Sequence, residues 1–396
     1  MPLDLTREVK LSGLVPRRKR ESPKAQAPAP GSGQRKGGER GSSLPKKLVG
    51  LKIGASQLAA ASVATNGAPH LLQLAREPLE RGVVVGGEPR DPVALVAALD
   101  GFFTKHALPR QGVRLGIASN RIGVRTFEID GLENQSLLEN AIRFRAGEVL
   151  PIPLDEAVLD YQLLREDVED GTRTFRVLLV VAYRDLIDRY VTACNGAGLK
   201  LVGIDLEAFA LLRALAEREP HELGGDKAAL VVVSLGSERS TFAVSDGYVC
   251  EFTRVLDWGG AALTLAIARA LDVQVPEAET IKCSLSLDGS SPPPEGLSGE
   301  RNAKAVEAVV RQIGVFAREL VSSLQYYQNQ PGSLGIGEVV VTGGTAELPG
   351  LAVELQRIIG VTVRVGDPLL RFSDPAEVHH DHLSSLTGAI GLGIED

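Results

Sequence analysis

Nine residues, Leu48-Val49-Gly50-Leu51-Lys52-Ile53-Gly54-Ala55-Ser56, have a counterpart 182 positions later in Leu230-Val231-Val232-Val233-Ser234-Leu235-Gly236-Ser237-Glu238. Each copy is an apolar run ending in Ile or Leu, then Gly and a small residue, then a second strand-like run. A spacing of about one domain between two such units predicts a duplicated architecture, two lobes that each open on a strand–turn–strand. The chain has 396 residues, 44% of them apolar, which is enough for two sizeable cores and excludes wholesale disorder.

Residues 1–47 stand apart. They hold 12 Lys/Arg against 4 Asp/Glu, whereas the remainder holds 31 against 46. Pro, Gly and Ser dominate from 11 to 47, and so little apolar surface cannot offset ordering entropy, so we expect a disordered basic tail. The run Pro16-Arg17-Arg18-Lys19-Arg20 suits a solubilising tail, or one drawn to an anionic surface. The acidic remainder excludes a uniformly basic face, so no nucleic-acid partner is expected. No apolar run reaches the roughly 20 residues that a bilayer demands, and no signal-peptide core precedes the ordered part. Three cysteines without C-x-x-C spacing exclude a disulfide scaffold and fit a reducing compartment.

Between the repeats, residues 48–54 and 57–65 read as a hairpin, and Asp91-Pro92 as the cap and first turn of a helix carrying Leu95, Leu99, Phe102 and Phe103. Residues 113–117 form a further strand. A strand at 124–129, a helix at 133–148, paired strands at 157–165 and 174–182, a helix at 184–197 stopped by Gly198, and a strand at 199–205 make a βαββαβ block, placed as a small inserted subdomain at about 124–200. The first lobe spans 48–227 and the second 228–396. The second adds helices at 261–271 and about 303–328, the latter with Val309, Ile313, Phe316 and Leu320 in helical period, then a strand at 338–342 and a helix from 349.

Two glycine-bent hairpins a domain apart suit a clamp on a polyphosphate, because backbone N–H groups can approach phosphate oxygens where side chains are small. Either glycine alone would only shape a turn. The third element, Thr342-Gly343-Gly344-Thr345, lays bare backbone at a strand's carboxyl end. Glu279 and Lys282 share a helix face between the last two. His379-His380-x-His382 lacks an accompanying ligand cluster and reads as a solvated loop, so no metal site is expected there.

In this order the motifs resemble the actin-like ATPase superfamily and, within it, the PilM family of type IV pilus assembly proteins, related to FtsA. The resemblance covers residues 48–395 and rests on Leu51–Ser56, Leu150-Pro151-Ile152-Pro153, Leu159-Asp160-Tyr161-Gln162, Gly203-Ile204-Asp205-Leu206-Glu207, residues 231–241, Glu319 with Gln325-Tyr326-Tyr327, and Thr342-Gly343-Gly344. It implies a two-lobed α/β fold of the actin-like, ribonuclease H-like kind, with nucleotide contacts from Lys52, Gly54, Ala55, Ser56, Ser234, Gly236, Ser237, Glu238, Gly343, Gly344 and Thr345, and from Glu279 and Lys282 toward the ribose. It also implies a cytoplasmic scaffold that docks on the peptide of a PilN-like inner-membrane protein, reaches the membrane only through that partner, and links it to cytoplasmic motor ATPases.

One departure matters. The family's phosphate strands read Asp-Ile-Gly in both copies, and those aspartates hold magnesium; here Lys52 and Ser234 replace them. A Lys cannot ligate magnesium and a Ser offers one neutral oxygen. ATP binding stays open, magnesium is disfavoured, and hydrolysis by the family mechanism is not expected. Lys52 either attracts phosphates as a point charge or pairs with Asp205 or another cleft carboxylate. For the partner peptide, the 133–148 helix offers Ile142 and Phe144 alternating with Arg143 and Arg145. Competing readings are an active ATPase that remodels the pilus complex and the cytoplasmic lobe of a type II secretion system.

Overall fold

The computed structural model describes residues 47–395 except 65–67, 131–136, 150–152, 170–171, 217–220, 224–225, 248, 331 and 373–381. The basic tail, apart from Lys47, and Leu150-Pro151-Ile152 therefore lie outside the described residues.

The first lobe opens with β1 (Lys47–Ile53), β2 (Gln57–Ala64) and β3 (His70–Pro78), followed by a small hairpin of β4 (Val84–Val85) and β5 (Glu88–Pro89), then α1 (Pro92–Lys105) and β6 (Gln111–Ile117). β1 is buried along almost its whole length, which is why it is a continuous apolar run rather than an alternating one. Asp91 caps α1 by accepting the Ala94 N–H at 2.9 Å, and Pro92 fills the first turn.

The chain then leaves the lobe as β7 (Ile122–Asp130), α2 (Leu138–Val149), β8 (Ala157–Glu169) and β9 (Thr172–Tyr183). These strands make a separate antiparallel sheet in the order β7-β9-β8. It has its own core, in which Leu138, Ile142 and Ala146 of α2 meet Phe175, Val177 and Leu179. α3 (Arg184–Gly196) and β10 (Lys200–Leu206) complete the expected βαββαβ order, but they belong to the main lobe. α3 sinks Leu186, Ile187 and Tyr190 into the lobe core, and β10 pairs parallel with β6. The three-stranded sheet with α2 thus spans 122–183, whereas the stretch expected at about 124–200 also takes in α3; Val124, Leu178, Val180 and Ala182 of that sheet share the lobe core.

After α4 (Glu207–Leu215) come β11 (His221–Leu223), β12 (Asp226–Leu235), β13 (Ser240–Ser245), β14 (Cys250–Leu256), α5 (Gly260–Leu271), α6 (Val275–Ser284), α7 (Gly299–Gln328), β15 (Gly335–Thr342), α8 (Leu351–Ile359), β16 (Val363–Val365) and α9 (Thr387–Gly393). The main paths of the two large sheets run β3-β2-β1-β6-β10 and β14-β13-β12-β15-β16, the same topology twice. Lys52 faces Ala59 across its hairpin, and Ser234 faces Thr241 across the second. The sequence repeat is a repeat of sheets.

The division at residue 228 separates those sheets but not the packing. α9, expected in the second lobe, returns to the first and seats Ala389, Ile390 and Ile394 against Ala59, Ala61 and Val63 of β2. Glycines allow the approach: a Cβ at Gly50 would lie 2.1 Å from the Ala389 carbonyl, and one at Gly391 1.8 Å from that of Ala210 on α4.

Candidate functional site

The two hairpin turns face each other across the cleft between the lobes. Gly54 donates its N–H to the Gln57 carbonyl at 2.9 Å, and Gly236 donates to that of Arg239 at 2.9 Å. A side chain at Gly236 would place Cβ 2.7 Å from the Arg239 oxygen, so the turn closes only with glycine. Lys52, Gly54 and Ala55 line one wall, and Ser234, Gly236, Ser237 and Glu238 the other, around a cavity of about 80 Å³. Ser56 sits at the turn but not on the wall; its carbonyl accepts the Leu79 N–H at 2.9 Å.

Glu207 stands between the walls. It opens α4 directly after β10, where a carboxylate in the first turn suits the helix dipole. One of its oxygens takes the Lys52 ammonium and the Ser234 hydroxyl, the latter at 3.1 Å; the other accepts Thr241 Oγ1 at 3.0 Å. The Lys52 and Glu207 side chains are only 18% and 10% exposed. Asp205, the one carboxylate named for Lys52 from the sequence, is instead paired with the Arg213 guanidinium, whose Nε donates to the Gly391 carbonyl at 2.9 Å. Positions 52 and 234 are therefore wired to a single carboxylate with both oxygens engaged. Magnesium requires such oxygens for itself, so this donor set does not fit the ion. The cavity is also well below the roughly 300 Å³ at which small-molecule sites begin.

Glu279, Lys282 and Thr345 flank the cavity without lining it. Lys282 Nζ binds both Glu279 oxygens, at 2.9 and 2.8 Å, and Thr264 Oγ1 at 3.0 Å. Burial pushes the Glu279 carboxyl up, but the hydrogen bonds from Lys282 and Thr264 outweigh it and leave it below its ordinary range. Thr345 Oγ1 donates to the Gly236 carbonyl at 3.0 Å, which ties this group to the second hairpin. Gly343 has φ +88°, and a Cβ there would lie 2.5 Å from the Leu235 oxygen. Its N–H is given to the Ser384 carbonyl at 2.9 Å. The Cβ of Ser385 would lie 3.8 Å from one built on Gly344.

Sequence reasoning missed the cleft's outer edge. Gly86 and Gly87, at φ +62° and +68°, form the tip of the β4–β5 hairpin, and the Gly86 N–H donates to Glu238 at 3.2 Å across the lobes. Nearby, Asn120 donates to Asp257 at 2.9 Å, and Arg239 pairs with the same carboxylate at 2.9 Å. The Gly-Gly pair was the available signal. Thr241 and Arg239 carried none.

On the insertion, Ile142 is 2% exposed and points into the small core, so it is not part of the outward face expected of it. Phe144 is 72% exposed, between the exposed Arg143 and Arg145, and Arg143 pairs with Glu139 at 3.4 Å. His382 pairs with Glu347 at 2.5 Å; His379 and His380 lie outside the described residues. Among the described residues no helix is long and apolar enough to cross a membrane.

Comparison with known proteins adds to this geometry. The family model described as "Type IV pilus assembly protein PilM" matches residues 50–395. The cell division protein FtsA of Escherichia coli K12 is 28% identical over 265 residues, 61% of this chain, and the chain spans only 61% of the length of that relative. FtsA of Pseudomonas aeruginosa is 26% identical over 369 residues, 82% of this chain and 83% of its own. Among solved structures, a PilM-PilN type IV pilus biogenesis complex aligns with TM-score 0.73 at 24% identity, covering 89% of this chain and 98% of that one. The ethanolamine utilization protein EutJ of Carboxydothermus hydrogenoformans aligns with TM-score 0.52 at 18% identity, covering 89% and 90%. MreB5 of Spiroplasma citri bound to ADP aligns with 0.50 at 11%, covering 88% and 95%. The fold is that of the actin-like ATPases.

Proposed function

The chain belongs to the family of the type IV pilus assembly protein PilM, and from that membership we propose that it serves as a scaffold whose cleft is held shut by an ion pair rather than cycled by hydrolysis. The observation that carries this reading is Glu207, which takes Lys52, Ser234 and Thr241 at the strand ends where the resemblance would set the family's magnesium. A nucleotide would have to part the lobes and displace that network to enter. The work of the protein then lies on its surface, in joining a membrane partner to the motor ATPases of the pilus machine, and its place at the inner membrane follows from the partner.

The partner contact is assigned to the insertion. A cytoplasmic peptide of a PilN-like membrane protein lays apolar side chains against the exposed Phe144, with Arg143 and Arg145 beside it for carboxylates. Calorimetric titration of the synthetic N-terminal peptide encoded beside this chain tests the reading. Micromolar binding is expected, weakened at least tenfold by Phe144→Ala with Arg143→Glu. Equal affinity in both proteins, or robust magnesium-dependent ATP turnover by the parent chain, would overturn it.

A further inference from the structure

The second lobe carries a second concavity, far larger than the cleft. α5 and α7 leave a groove of about 690 Å³ between them. Its floor is made of small residues: Ala266 and Ala270 on α5, Ala308 and Gly314 on α7. Its rim is basic, with Arg269 from one helix and Arg311 and Arg318 from the other. Val315, 36% exposed, adds an apolar contact between the arginines. Along α7 the lining positions 308, 311, 312, 315 and 318 hold one helical face over three turns. The adjacent face, with Ile313, Phe316 and Leu320, is already committed to the core.

Such a seam has the shape of a receptor for a third helix. Small floor residues let a backbone approach, and the trough follows a helix axis rather than enclosing a small molecule. Its charge narrows the occupant. Residues 48–396 carry 31 Lys/Arg against 46 Asp/Glu, so three arginines along one groove are a local reversal of an acidic body. Arg311 is paired with Glu307 one turn away, with both side chains exposed. Among the described residues, Arg269 and Arg318 make no ion pair. Guanidinium groups fit carboxylates in bidentate fashion, and Arg is favoured at interface anchors. Arg311 and Arg318 are seven residues apart, about 10.5 Å along the axis. The basic tail of this chain is excluded as occupant by its own charge. An anionic membrane or a nucleic acid would have to approach the net-negative body as a whole, whereas one helix meets only the groove.

We infer that the α5–α7 groove docks an amphipathic helix of a partner protein, one that sets small or medium apolar side chains on the alanine floor and carries carboxylates seven residues apart. The inference rests on the second lobe alone and is independent of the peptide assigned to the insertion.

The test uses the full chain and a fluorescein-labelled 21-residue synthetic helix with an apolar seam and Glu at every seventh flanking position. A twin peptide with Lys in place of each Glu is the first comparison. Fluorescence anisotropy should show saturable binding of the Glu peptide and at least tenfold weaker binding of the Lys peptide. Arg311→Glu with Arg318→Glu should reduce the affinity for the Glu peptide at least tenfold with an unchanged melting temperature. Arg357→Glu, exposed on α8 and not among the groove residues, should leave it within twofold. No binding of the Glu peptide, or equal affinity for both peptides, overturns the inference. So does binding only of phosphatidylglycerol vesicles or single-stranded DNA, or self-association in sedimentation that the double substitution abolishes.

Discussion

An ammonium and a carboxylate set this deep are held by what each would lose without the other. Removing one partner leaves an uncompensated charge where Lys52 and Glu207 are 18% and 10% exposed. Glu207→Gln should therefore destabilise the protein by about 2–4 kcal/mol, somewhat less than for a fully enclosed pair. Adding Lys52→Met should restore most of the loss, and a urea-denaturation cycle should give a coupling above about 1 kcal/mol. Additive losses would mean that the pair is incidental. The sequence made one half of this legible: the repeat placed Lys52 and Ser234 at equivalent strand ends. It could not choose between Asp205 and Glu207, because the choice depends on Arg213, eight residues on, reaching back to claim Asp205. A second carboxylate behaves oppositely. Burial raises the Glu251 carboxyl above its ordinary 4.5, and Asp246 adds to this, although the Tyr327 hydroxyl and Arg176 oppose it. A raised folded value means that the folded state holds the proton more tightly. The stability it supplies is full below about 4.5 and is lost as pH rises through the folded value. Glu251→Gln should thus gain melting temperature relative to the parent as pH rises from 4.5 to 8; a flat difference would contradict the sign.

Among the elements, α9 shows how chain order misleads. Nothing in Thr387-Gly388-Ala389-Ile390-Gly391-Leu392-Gly393 says which lobe it will cover, since a short apolar helix fits either. Contact with the first lobe is decided by close backbone approach. Gly391 meets Ala210 of α4, Gly393 meets Val63 of β2, and across the interface Gly50 meets Ala389. Arg114 of β6 then donates to the Ile394 carbonyl at 2.9 Å just beyond the helix. The same logic moved α3 and β10 out of the insertion: their local pattern was legible, but the strand that would accept Lys200–Leu206 was not. Gly391→Val should cost about 3 kcal/mol or prevent folding, because side-chain volume would have to displace backbone rather than a flexible tip. Gly101→Ala, in α1 with nothing within 4 Å of the added carbon, should instead stabilise by about 0.5–1 kcal/mol. Thermal melts of the two variants separate packing from helix propensity. If Gly391→Val melted with the parent, α9 would not pack as described.

For the molecule as a whole, the two lobes are joined at two depths. Inside, Lys52 of the first lobe and Ser234 and Thr241 of the second share Glu207. Outside, the β4–β5 tip reaches Glu238, and Asn120 reaches Asp257. The outer contacts are exposed and individually weak. The inner network is shielded from solvent, so salt will not loosen it. Opening of the cleft is then governed by the inner network, and its free energy need not equal that of global unfolding. If Glu207→Gln removes about 2–4 kcal/mol from the closed state only, the open population rises about 30- to 1,000-fold. Hydrogen exchange should accelerate by that factor at the amides of the two hairpin turns, residues 54–57 and 236–239, and at the β4–β5 tip. The insertion, with its own sheet and its own core, should keep the parent's protection. Faster exchange spread evenly over both lobes and the insertion would mean that the substitution weakens the whole fold. Unchanged exchange at the turns would mean that the lobes are held by something other than Glu207. Acceleration at the turns and the tip, with the insertion's protection kept, identifies this carboxylate as the clasp.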